Sequence, residues 1–355
     1  MNWDDVLGHD RIREMFATAL TKNRLASTFL FVGPAAIGKR KFALMLAKTL
    51  LCQNVPAYHM HPCGNCEDCK QVDALTHPDL LTVSRPKDKT RIPVELLIGD
   101  GQHRMESGLC HDIAMRPFRG QRKVAILDDA DDLNQEGANC LLKTLEEPPV
   151  DSVIILISQS EQRQLPTIRS RCQIIRFAPL PDEIVSNLLL ELQWVADKSE
   201  ADKLARQSKG SLARADQLRD EALQGIAEVL LSTLSKRDFH SVQMAKDVSD
   251  YLTKMGDDAP KKREALSHLI ELAADFYRNQ LVYLTKLGTE EASTNPEIRS
   301  AFMAIPAGLD GAAACLERCS EAEIQLDGNA NIATLVEAWL DDLATTARTG
   351  FIETL

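Results

Sequence analysis

Gly33-Pro34-Ala35-Ala36-Ile37-Gly38-Lys39-Arg40 is the stretch that decides the fold. The apolar run Thr28-Phe29-Leu30-Phe31-Val32 leads into it and reads as a buried strand. Lys41–Leu51 leads out, and its Phe42, Leu44, Met45, Leu46, Leu50 and Leu51 give a largely apolar helix. Strand, glycine loop and helix form the context in which G-x-x-x-x-G-K cradles phosphates. Gly33 and Gly38 allow the backbone to curl so that N–H groups face an anion. The helix N-terminus adds positive potential and Lys39 adds a full charge. The next position departs from the pattern. A Ser or Thr there would ligate Mg²⁺, but the residue is Arg40, a cation that cannot ligate another cation. The loop is therefore expected to hold phosphates while failing to position the metal that hydrolysis needs. An ordinary glycine turn before a helix is the plainer alternative.

Working outward, the 355 residues allow two or three domains with ample core. A formal net charge of −11 excludes a surface that grips nucleic acid all round. Any DNA contact must be a local patch or run through a partner. No apolar run reaches the roughly 18 residues of a membrane span, and Met1-Asn2-Trp3-Asp4-Asp5 is acidic, without a signal-peptide core. A cytoplasmic protein without membrane partners is expected. Nine cysteines in such a chain argue for metal binding and free thiols, not disulfides.

Cys52, Cys63, Cys66 and Cys69 form C-x10-C-x2-C-x2-C, with Pro62 and Gly64 bending the chain between them. The two close steps put thiolates within reach of one ion, and Cys52 at the end of the preceding helix can complete a tetrahedron. Four sulfurs leave no open position, so a structural zinc is expected, not a catalytic one. His59 and His61 are spare candidates that read as surface residues. Cys110, Cys140, Cys172, Cys315 and Cys319 lack ligand spacing and read as core or near-core thiols.

Asp10–Lys22 has helical spacing, and Leu80–Val83 reads as a short strand. A basic loop over 85–93 and a helix over Val94–Asp112 follow, the latter containing Gly99, Gly101 and Gly108. Lys123–Asp129 reads as a buried strand ending in two carboxylates. Asp128 stands where a P-loop ATPase holds Mg²⁺, and Asp129 where the residue orienting the attacking water is usually a Glu. Alone, this would read as a strand running into a solvated acidic turn. The glycine loop upstream shifts the reading. Asn134–Glu147 is a helix stopped by Pro148-Pro149. Ser152–Ile157 is a strand delivering Ser158-Gln159-Ser160 to the edge where open α/β sheets place ligand-facing groups. Ile174–Phe177 is the last strand. Buried strands alternating with helices imply a parallel sheet covered on both faces.

From Pro179 onward no strand appears. Short helices are expected over Asp182–Trp194, Ser199–Ser208 and Ser211–Asp220. Longer ones are expected over about 222–235, 239–255, 260–287, 296–319 and 330–347.

Taken together, the glycine loop, the cysteines, Ala138–Pro149 (A-N-C-L-L-K-T-L-E-E-P-P) and Ser170-Arg171-Cys172 resemble the bacterial clamp-loader branch of the AAA+ proteins. The likeness is good over residues 1–220 and loose beyond. It implies an α/β AAA+ P-loop domain over 1–178, with a zinc module inserted at about 52–76. A small helical lid over 179–221 and an all-α collar over 222–355, which joins subunits, would follow. It implies a part in DNA replication, in the loader of DNA polymerase III. The implied partners are the other subunits of a hetero-pentamer and, mainly through the complex, the sliding clamp and primed DNA. In this family the arginine of S-R-C, here Arg171, reaches the γ-phosphate of ATP held by the neighbouring subunit. Gly33, Gly38, Lys39, Asp128 and Asp129 would be the nucleotide residues. Gly210–Ala215 resembles the stretch that carries a phosphate-sensing arginine in the motor subunit, but Ala213 takes that place. A non-hydrolysing assembly subunit is the expected role, with ATP or ADP bound at most without efficient turnover. The alternative is the ATP-hydrolysing, gamma/tau-like motor subunit. A free-standing zinc-dependent DNA-binding module is disfavoured by the acidic balance.

Overall fold

The computed structural model describes residues 1–349 apart from 102–103, 105, 120–121, 237–238, 257–258, 286–307 and 329. The chain forms two compact units, Met1–Asp216 and Gln217–Leu355.

The first unit is a mixed α/β structure built on a five-stranded sheet. Its strands are β1 (Thr28–Val32), β2 (Leu80–Val83), β3 (Lys123–Leu127), β4 (Ser152–Ser158) and β5 (Gln173–Arg176). They lie in the order β2-β3-β4-β1-β5, and every pairing is parallel. All residues of β1, β3 and β4 are buried, as expected of parallel strands covered on both faces. The helices are α1 (Asp10–Thr21), α2 (Lys39–Leu51), α3 (Glu67–Asp73), α4 (Glu95–Ile98), α5 (Leu109–Ala114), α6 (Gln135–Glu146), α7 (Pro166–Arg169), α8 (Asp182–Glu191), α9 (Lys198–Ser208) and α10 (Leu212–Gln217).

Alternation along β1 divides the two cores. Phe29 and Phe31 join Phe16, Phe42 and Phe177 in a cluster of tilted and edge-on rings. Leu30 and Val32 face the other way, into a core with Leu97, Ile113, Leu127, Leu141 and Leu156. The parallel register places all strand C-termini at one edge. The glycine loop and Asp128 leave from that edge, while Arg171 precedes β5 at the opposite one.

Two sequence expectations need correction. The helix expected over Val94–Asp112 is two short helices, α4 and α5. Gly99 and Gly108 stand between them with φ of +82° and +87°, a backbone region that ends an α-helix. The strand expected over Lys123–Asp129 ends at Leu127, and Asp129 sits in the left-handed region at φ +53°.

The second unit is all-helical among the described residues. It comprises α11 (Glu221–Leu234), α12 (Ser241–Lys254), α13 (Ala259–Thr285), α14 (Gly308–Asp327) and α15 (Ile332–Thr349). The N-terminal part of the helix expected over 296–319 lies outside the described residues. Leu230, Val248, Leu266, Ile270, Tyr277, Trp339 and Leu340 form its core. Among the described residues no helix is long and apolar enough to cross a membrane.

Candidate functional site

The glycine loop spans the turn from β1 to α2. A Cβ on Gly33 would lie 2.5 Å from the carbonyl oxygen of Phe177, so only glycine fits there. Gly38 caps α2 with φ +97°. Lys39 is 6% exposed, and its ammonium donates to the carbonyls of Gly33 and Pro34. Two residues from distant parts of the chain hold the next carbonyls. Ser211 Oγ donates to Ala35 O at 2.8 Å. His9 Nε2 lies 2.7 Å from Ile37 O, which can only accept, so this nitrogen carries the proton. The His9 ring is buried edge-on against Phe177, and burial holds its pKa below the usual histidine value. Four loop carbonyls are thus engaged by side chains, which fixes the shape of the loop.

Directly beyond β3 lies a cluster of acids. Arg40 Nε is 3.0 Å from Asp128 Oδ2. The guanidinium therefore occupies the carboxylate that the sequence pattern assigns to Mg²⁺. Burial pushes the Asp128 carboxyl up and Asp129 adds to this, while Arg40 and Lys39 pull it down. Burial lowers the Lys39 ammonium to about 8, against the pull of Asp131, Asp128 and Asp129. Asp131 accepts from Gln159 N at 2.6 Å and from Gln164 Nε2 at 2.9 Å, and Ser158 Oγ lies 2.6 Å from it. Ser158, placed by the sequence among ligand-facing groups, is buried and engaged by Asp131.

Cys52, Cys63, Cys66 and Cys69 come together so that their sulfurs all lie within 4.8 Å of one another. Four sulfurs about 2.3 Å from a tetrahedral zinc would stand about 3.8 Å apart. The Cys63–Cys69 pair, at 4.0 Å, is close to that. Backbone N–H groups point at the sulfurs: Cys63 N at Cys52, Cys66 N at Cys63 and Cys69 N at Cys66, at 3.4, 3.4 and 3.3 Å. Such donors stabilise thiolate. The Cys66 and Asn65 amides lower the Cys63 thiol to about 6, whereas burial pushes Cys66 and Cys69 up. A bound cation would reverse the latter, since a coordinating thiol is deprotonated outright. His59 and His61 are exposed and stand outside the cluster.

Behind the cysteines lies a buried polar strut that the sequence did not disclose. His77 Nε2 is 3.2 Å from Asp68 Oδ1, and its Nδ1 accepts from Asp79 N at 3.0 Å. Asp79, fully buried, accepts from Phe118 N and Arg119 N at 2.6 and 2.8 Å. Arg119 in turn pairs with Glu67 at 2.7 Å. The cysteine segment is thereby joined to the start of β2 and the turn before β3. Only a buried His or Asp signals such a strut, and burial follows from distant contacts.

Arg171 lies at the far edge of the sheet. Its carbonyl accepts from Thr28 Oγ1 at 2.7 Å, at the start of β1, whereas the glycine loop begins at the other end of that strand. A strand of this length spans roughly 15 Å, too far for Arg171 to serve its own loop. Its Nε donates to Glu146 Oε1 at 2.7 Å, Nη2 donates to the same oxygen, and Nη1 donates to Thr167 O at 2.9 Å.

A family model described as "DNA polymerase III, delta subunit" matches residues 8–181. The chain is 34% identical over 181 residues to the DNA polymerase III subunit delta' of Bacillus subtilis, covering 51% of each protein. It is 37% identical over 171 residues to subunit delta' of Pseudomonas aeruginosa, covering 48% of this chain and 47% of that one. It is 27% identical over 323 residues to DNA polymerase III subunit tau of Salmonella typhimurium, covering 86% of this chain and 48% of tau. The chain spans about half the length of each of these relatives.

Proposed function

Over residues 8–181 this chain belongs to the family of DNA polymerase III delta-prime clamp-loader subunits, and from that premise we propose that it is a non-hydrolysing assembly subunit which supplies Arg171 to a neighbour's ATP site. Residues 1–178 are an AAA+ domain with a zinc module at about 52–76, 179–221 a lid, and 222–355 a collar joining it to the other loader subunits. Through that hetero-pentamer it helps place the sliding clamp on primed DNA. Zinc held by the four thiolates is structural, because four sulfurs leave no open position.

The observation that carries this reading is the Arg40–Asp128 pair. One residue removes the metal-ligating hydroxyl and also neutralises the carboxylate that would hold the metal. Without a positioned cation bridging the β- and γ-phosphates, hydrolysis lacks its main source of charge stabilisation. Gly33, Gly38 and Lys39 can still cradle phosphates, so ADP or ATP binds without efficient turnover. The chemistry lies instead at the opposite edge, where Arg171 can meet only another chain's nucleotide. A trans arginine finger acts by placing a fixed guanidinium where charge develops in the transition state.

The motor-subunit reading is favoured by one specific observation: the tau relative matches over 86% of this chain, and Lys39, Asp128 and an acid at 129 are retained. ATP turnover by the isolated chain separates the two. The assembly reading expects turnover far below the roughly 1 s⁻¹ at the lower end of ordinary enzymes. Steady turnover near that rate, abolished by Lys39→Ala, would establish the motor subunit.

A further inference from the structure

All three nitrogens of the Arg171 guanidinium are engaged within the chain. Nε and Nη2 donate to Glu146, and Nη1 donates to Thr167 O and lies 3.2 Å from Ser170 Oγ. Glu146 is the last residue of α6, and its side chain is 47% exposed. It contributes little packing there. A carboxylate on the final turn of a helix also stands against the negative end of the helix dipole, which disfavours it. Glu147 adds a second acid beside it. The position makes electrostatic sense only through the cation opposite.

Resting on the trans-finger reading above, we propose that Glu146 is a clasp that holds Arg171 against its own chain until a neighbour's nucleotide draws it away. An arginine–carboxylate pair whose carboxylate stands in water, as Glu146 does, is weak and exchangeable. A terminal phosphate carries more charge than a carboxylate and can take the guanidinium fork with two oxygens, whereas Glu146 meets Nε and Nη2 with one. When the neighbouring site is assembled around ATP, the phosphate wins. When the subunits stand slightly apart, Glu146 wins and the finger stays down. Glu146 acts through Arg171 and is a positioning residue, not a catalytic one.

The experiment compares loaders reconstituted from the full chain and its cognate subunits, at matched assembly, with and without primed DNA. Glu146→Gln keeps size and hydrogen bonding but removes the charge. It should raise the ATPase without DNA about two- to fivefold, the factor an exposed ion pair supplies, and leave the DNA-stimulated rate nearly unchanged. The stimulation ratio therefore falls. Glu146→Asp, which restores the charge, should return the ratio most of the way. In an Arg171→Ala background, Glu146→Gln should change nothing. An unchanged ratio in Glu146→Gln overturns the clasp, as does a fall in both rates, which would make Glu146 an aid to the finger and not a restraint. Arg171→Ala isolates the underlying reading. If that loader hydrolyses ATP like wild type, the finger itself is wrong. If it is slow while Glu146→Gln is silent, only the clasp is lost.

Discussion

Two arginine–carboxylate pairs sit at opposite edges of one sheet and differ in what surrounds them. Arg40–Asp128 lies at the edge where strands end. Its carboxylate is largely buried, and Lys39, Asp129 and Asp131 crowd around it. Arg171–Glu146 lies at the edge where strands begin, with a half-buried guanidinium and an exposed carboxylate. An arginine and a carboxylate form both. In the buried setting the arginine fills a place that a metal would need, and leaving it would uncover a desolvated acid. In the exposed setting little is lost on separation. Burial of the carboxylate distinguishes the pair proposed as a plug from the one proposed as a reserve.

The comparison breaks most visibly at Arg171. Arg171→Ala should leave the subunit folded and assembled but remove on the order of 10³–10⁵ in rate at the one ATP site it serves. A loader with several sites then shows a partial loss of DNA-stimulated ATPase and of clamp placement. Arg171→Lys should not rescue fully, since an ammonium lacks the planar fork. Equal rates in an intact loader would make the Arg171–Glu146 pair merely structural.

Metal removal asks whether the edges depend on what lies beside them. The purified protein should carry about one zinc. Cys66→Ser should lower that content and speed amide exchange over 52–76 at least about tenfold, each factor of ten being about 1.4 kcal/mol of local stability. Arg171-dependent turnover should persist in the assembled loader. Reduced, chelator-free protein with no bound metal would dispose of the zinc assignment.

The plug can be withdrawn more gently. Arg40→Thr restores a hydroxyl and frees Asp128. Magnesium-dependent ATP affinity of the isolated chain, measured by titration calorimetry, should rise on the order of tenfold, about 1.4 kcal/mol. An affinity indifferent to magnesium in both forms would mean that Arg40 blocks nothing.

A last effect concerns protons. Burial lowers Lys39 to about 8, from an ordinary value of 10.5. Between those two pH values the unfolded chain binds more protons at this group than the folded one, so stability rises with pH through that window. The difference in urea-unfolding free energy between wild type and Lys39→Met should climb from about pH 8 to about pH 10.5. A flat difference would mean that the ammonium is better solvated than its position suggests.

Most of the sheet was legible because its signals are local. Buried runs such as Ser152–Ile157 and the glycine loop declare themselves within a few residues. The four cysteines were legible by spacing. Arg40 was legible as a misfit and Asp128 as an acid of the site, but the pairing of the two, far apart along the chain, was not. The broken helix over Val94–Asp112 had its warning in three glycines, whose cost a periodic pattern does not weigh. Least legible were His9, Ser211, Asp79 and Glu146. Each acts through a contact made only after folding, and polar side chains carry no periodic signature that would announce a distant partner.

The separation of the two edges by the length of β1 also gives the subunit a direction. On the proposed roles, a chain that offers an arginine from one side and fills its own metal place on the other can complete a neighbour's site but not its own. Stacked on copies of itself, it would form no working site anywhere. Beside receptive neighbours it would complete one site and offer no hydrolysing site of its own. On this reading it acts as a terminus: the arginine it gives is not matched by any hydrolysing site that it offers in return.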